Sequence, residues 1–209
     1  MTKVIQFPGS NPEKFGFKPV RKKEKPTGST LGQLDLFSGG KVRSLRQLSV
    51  FEEALMLDEG GDNRARVREH YLKAIETSDS IADAYCNLGI LESEEGNSIH
   101  AIDYFTKSLK EDPRHYEAHY NLANLYAEIG NLPLAKIHYQ MAITIEPEFP
   151  NSYFNLALTL AMNKEVEEAI KLLLTYRDLV SNEDRNQAEQ LINNLTHSLR
   201  WYSSFIIKS

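Results

Sequence analysis

Residues 120–131 read YNLANLYAEIGN. Thirty-four positions earlier, residues 86–97 read CNLGILESEEGN, and thirty-four positions later, residues 154–165 read FNLALTLAMNKE. The pairs Asn87-Leu88, Asn121-Leu122 and Asn155-Leu156 stay in register through all three copies. Other slots keep the same interval. Ala101, Ala135 and Ala169 recur, and Phe105, Tyr139 and Leu173 follow four residues later on the same helical face. Gly96 and Gly130 punctuate the middle of each copy, where the next copy has Lys164, and Pro113 and Pro147 close it, where the next has Ser181. Each copy therefore spells two amphipathic helices joined by a turn. One such pair cannot bury its apolar face alone, so copies must stack.

A helix-pair repeat with this period and these slots resembles the tetratricopeptide repeat. The resemblance covers about 48–182. The copies at 82–115 and 116–149 match well; 150–182 departs at the turn glycine and the closing proline. The copy at 48–81 is degenerate: Val67, Tyr71 and Ala74 hold its second-helix slots, but DEGGDN shifts its turn by about one residue. The implied fold is all-α, a right-handed superhelix of about four helix pairs. Residues 183–202 supply a capping helix, in which Ala188, Leu191, Ile192, Leu195 and Leu199 make one apolar stripe and the other faces are polar. Residues 203–209 form a short tail.

Outside the repeats the composition changes. Residues 1–47 hold ten Lys/Arg against three Asp/Glu, a net of +7, whereas 48–209 hold fourteen against twenty-six, a net of −12. With six of the eleven glycines and the run RKKEK, this basic arm reads as disordered when free. The single cysteine, Cys86, excludes an intramolecular disulfide and fits a reducing compartment. MTKVIQFPGSNPEKFG has no apolar run of signal-peptide length, and no stretch of about 18 apolar residues crosses a membrane. A cytoplasmic protein is the expectation.

The resemblance also implies a binding surface. In this family the first helix of each pair lines an inner groove. Carried over slot by slot, the groove would hold Asn87, Asn121 and Asn155, with Cys86, Tyr120 and Phe154 beside them. Further along it come Ile90, Asn124 and Leu158, then Asp83, Glu117 and Asn151, and Glu94, Glu128 and Met162. An asparagine offers donors and an acceptor together, so a row of them suits the backbone of an extended peptide. On this reading Asn87, Asn121 and Asn155 hold backbone, Tyr120 and Phe154 anchor side chains, and Asp83, Glu117 and Glu128 set charge preference. The alternative is that this asparagine is simply common in the repeat and stabilises local backbone. Some relatives clamp the acidic tail of heat-shock chaperones with Lys and Arg on the first helices; Asp83, Glu117 and Asn151 stand there instead. A basic or apolar protein or peptide partner follows, with the chain's own arm as one candidate.

The arm also carries Gln33-Leu34-Asp35-Leu36-Phe37, which resembles the peptide that docks bacterial polymerases and repair proteins on the sliding clamp. The alternative is that Leu34, Leu36 and Phe37 cover the degenerate first copy. Lys22, Lys23 and Lys25 could touch the phosphates of a nucleic acid, but no nucleic-acid-reading pattern accompanies them. Signals for an enzyme are lacking. HYEAH, around His115 and His119, is not the HExxH metal arrangement, and neither a phosphate-cradling glycine loop nor a nucleophile elbow is present. No catalytic residue, metal or cofactor is expected, and the leading function is a non-catalytic adaptor.

Overall fold

The structure, a computed structural model, describes residues 48–206. Among the described residues there are nine α-helices and no strand. They are α1 (Val50–Glu59), α2 (Arg64–Glu76), α3 (Ile81–Glu94), α4 (Ser98–Glu111), α5 (Tyr116–Glu128), α6 (Leu132–Ile145), α7 (Pro150–Met162), α8 (Val166–Leu179) and α9 (Asn182–Ile206). Each helix packs on the next along the chain, and α5 also touches both α3 and α7. The first helices of the pairs therefore form an inner layer and the second helices an outer one. The helix α9 lies on α8 and buries Ala188, Leu191 and Leu195 against the last copies, covering an otherwise open end.

Local chemistry sets the boundaries. Ser49 and Glu52 form a reciprocal capping box at the start of α1. Asn63 and Asn131 accept backbone N–H bonds at the starts of α2 and α6. Pro133 and Pro150 sit in first turns, where their missing N–H costs nothing. The turns of copies two and three need a left-handed residue, and Gly96 and Gly130 supply it at φ +80° and +81°. Lys164 takes the same conformation in copy four at φ +66°, and in copy one Gly61 does so one position early, as the shifted DEGGDN turn implies.

The repeating alanines are contact points. Ala101, Ala135 and Ala169 are all fully buried, where a larger side chain would push the two helices of a pair apart. Gly89 serves a closer approach still. Its counterparts are Ala123 and Ala157, but a Cβ on Gly89 would stand 2.7 Å from the ring of Phe105. The interior falls into three apolar clusters: one across α1–α3, one across α3–α5, and a large one running from α5 to α9. Asn87 and Asn121, both buried, sit on the two helices where one cluster gives way to the next.

Candidate functional site

The repeated slot of the asparagines resolves into a junction between repeats. Asn87 is 1% exposed, and its Nδ2 donates to the Tyr71 hydroxyl of the preceding hairpin at 3.2 Å. Tyr71 in turn donates to Asp58 Oδ2 at 2.9 Å. Burial and the neighbouring Asp58 carboxylate push the Tyr71 phenol far up, so it stays a neutral donor. Asn155, two copies on, bonds a tyrosine from a different slot. Its Nδ2 donates to the Tyr120 hydroxyl at 3.1 Å and to Asn124 Oδ1 at 2.8 Å, while the Tyr139 hydroxyl donates to the same Asn124 oxygen. Between them Phe105 occupies the tyrosine slot and has no hydroxyl. There Asn121, fully buried, directs Nδ2 to Cys86 Sγ at 3.5 Å.

These placements correct the groove assignment inferred from the sequence. Asn87 and Asn121 do not reach a ligand, because the preceding hairpin has already taken them into its interior. Tyr120 and Phe154 are no ligand anchors either. At 0% and 2% exposure they belong to the large apolar cluster, Tyr120 packing edge-on to Phe149 and Phe154 tilted against Tyr176. Cys86 is likewise buried, and burial raises its thiol well above its ordinary range, which removes the thiolate a nucleophile needs.

Other positions that the sequence assigned to a groove do reach the surface. Asn124 and Asn155 are half-buried and bonded to each other. Leu158 is half-buried, while Met162 and Glu128 are exposed. Asp83 accepts from His115 Nε2 at 3.0 Å, and Glu117 Oε2 lies 3.4 Å from His115 Nδ1. His115 caps α5, with Nδ1 accepting from the Ala118 N–H at 3.1 Å, so Nε2 carries the proton given to Asp83. Glu94 is exposed and pairs with Arg64 of α2.

HYEAH separates in the fold. His119 turns to the next helix and meets His138 Nδ1 to Nδ1 at 2.9 Å, its Nε2 donating to the Pro113 carbonyl at 3.3 Å. Nδ1 of His119 is thereby left to accept from His138. Desolvation lowers both imidazoles, His138 to about 4. Among the described residues no group of three His, Cys, Asp or Glu could hold a metal ion, and no helix is long and apolar enough to cross a membrane. Gln33, Leu34, Asp35, Leu36 and Phe37 lie outside the described residues, as does the whole basic arm.

A feature that slot-by-slot reading missed emerges from the two layers. The inner helices carry four carboxylates on α1, three on α3, two on α5 and none on α7, and no Lys or Arg at all. The outer helices α2, α4, α6 and α8 carry nine Lys/Arg and seven Asp/Glu. The sequence held this signal, but it becomes visible only when residues are sorted by layer.

Three tetratricopeptide repeat family models match the chain, over residues 82–115, 116–149 and 138–171. No curated protein sequence is significantly similar. Among solved structures, MamA 41-end from Desulfovibrio magneticus RS-1 is similar at TM-score 0.62 and 16% identity, covering 74% of this chain and 86% of its own. Another MamA crystal structure gives 0.61 and 20%, covering 76% and 86%. The first TPR of Spaghetti (RPAP3), bound to the HSP90 peptide SRMEEVD, gives 0.53 and 19%, covering 57% of this chain and 93% of its own. At these identities the likeness is one of fold.

Proposed function

We propose that this tetratricopeptide repeat protein is a non-catalytic adaptor, whose inner helix layer holds an extended, basic segment of a partner protein. The observation that carries the reading is the charge of that layer: four helices hold nine carboxylates and no Lys or Arg of their own, and of the nine Glu92 and Glu94 pair with arginines, Arg68 and Arg64 of α2. A field of one sign along a groove raises the local concentration of an opposite-signed ligand and speeds its arrival. The similar Spaghetti domain takes a peptide, SRMEEVD, with three acidic residues. Here Asp83, Glu117 and Asn151 occupy the first-turn groove slots, so an acidic tail would meet like charge. Asp83, Glu94, Glu117 and Glu128 favour Lys or Arg side chains, and Asn124 and Asn155 lie beside the ligand's path. The single cysteine suits a cytoplasmic setting.

The test is fluorescence anisotropy on the full chain with a Lys/Arg-rich decapeptide and a Glu-rich one. The basic peptide should bind and be released by salt, and Glu94→Gln with Glu128→Gln should weaken it by about three- to tenfold. Equal binding of both peptides, or no effect of the double substitution, would overturn the reading.

A second reading rests on the arm's sequence alone. Gln33 to Phe37 matches a sliding-clamp docking peptide at all five positions. A synthetic peptide of residues 29–41 should bind a bacterial clamp, and should lose binding when Leu36 and Phe37 become alanine.

A further inference from the structure

The inner layer changes character along its length. Its carboxylates belong to α1, α3 and α5. The inner helix of copy four, α7, has no ionisable Asp, Glu, Lys or Arg; there Leu158 is half-buried and Met162 is 56% exposed. The inner helices thus run from carboxylate-rich in copy one to uncharged in copy four. Residues 1–47 carry the complementary net charge, +7. Nearest the start of α1 come Lys41, Arg43 and Arg46, then the apolar Leu31, Leu34, Leu36 and Phe37, then Lys18, Arg21, Lys22, Lys23 and Lys25, and farthest away come Lys3, Val4, Ile5 and Phe7.

We infer that the arm of this same chain is the resident occupant of the groove. It runs back from α1, with its cations over the acidic inner helices and Val4, Ile5 and Phe7 over Leu158 and Met162. This rests on the groove being a site for basic segments and names its first ligand. Length is no obstacle. Forty-seven residues can reach about 155 Å when extended, whereas four inner helices at about 10 Å spacing span roughly 30–40 Å. Attachment to the same chain gives the arm an effective concentration on the order of millimolar, so modest affinity suffices for occupancy. A partner segment must displace it, which makes the adaptor self-inhibited and selective for ligands better than its own arm.

A nitroxide tests this in the full chain. Lys23→Cys accepts the label, since the native thiol of Cys86 is buried and protonated. The label should broaden the amides around Glu94 and Glu128, and a label at Ile5→Cys should broaden those around Leu158 and Met162. Broadening should be independent of protein concentration and vanish at about 0.5 M salt for position 23. Changing Lys22, Lys23 and Lys25 to Glu should raise the affinity of an added Lys/Arg-rich decapeptide by about tenfold. Broadening seen only between separate chains would overturn the inference. So would a silent label while the added peptide still shifts the groove amides, a result that leaves the adaptor reading standing. A silent label with no response to the added peptide defeats both.

Discussion

Replacing Asn87 by alanine separates a junction role from a ligand-binding one. The side chain is 1% exposed and donates to the Tyr71 hydroxyl at 3.2 Å. Truncation removes that bond, worth about 1 kcal/mol net, and leaves space that the surrounding helices fill only in part. Tyr71 still donates to Asp58, so its hydroxyl is not orphaned and the larger penalty for an unsatisfied group does not apply. The sum is a loss of about 1–3 kcal/mol, or a fall in Tm of roughly 2–4 °C per kcal/mol for a chain this size. Urea denaturation of Asn87→Ala, Tyr71→Phe and the double variant gives a coupling energy, expected at about 0.5–1.5 kcal/mol. Asn155→Ala should cost less, because its half-buried site lets water replace the lost bonds. An unchanged midpoint for Asn87→Ala, or zero coupling to Tyr71, would refute the junction. So would a loss of peptide affinity without loss of stability.

Three further outcomes follow from the same slots. Ser152 is fully buried with its hydroxyl unpaired, while the equivalent positions hold Ala84 and Ala118; Ser152→Ala should stabilise by about 1–2 kcal/mol in chemical denaturation. Gly89→Ala would press a methyl into the Phe105 ring and should destabilise by about 1–3 kcal/mol, with Phe105→Leu relieving part of the loss in the double variant. Desolvation holds His119 and His138 below the ordinary histidine range, so the folded state binds fewer protons than the unfolded one. Stability should be complete above about pH 6.5 and fall by about 1–2 kcal/mol toward pH 4, discounting for partial exposure. His138→Phe should flatten that slope relative to the parent, and parallel profiles would refute it.

Much of the architecture was legible one residue at a time. The interval of thirty-four, the alanines at helix crossings, the glycine turns and the apolar stripe from Ala188 to Leu195 are local patterns, each repeated or continued, and each maps to the element it implied. The three matched asparagines were legible as a pattern but not as a role. A residue at the sixth helical position lies between the groove and the preceding hairpin, and helical geometry alone does not choose between them. The choice came from Tyr71 and from the Tyr120, Asn124 and Tyr139 cluster, residues 15–35 positions away that differ from copy to copy.

Helix content and stacking are thus written in the chain, because backbone preference and apolar spacing act over a few residues and recur with every copy. Which polar side chains remain available to a guest was decided by tertiary packing. A buried amide takes the nearest partner that spares it desolvation, and that partner arrives from another repeat.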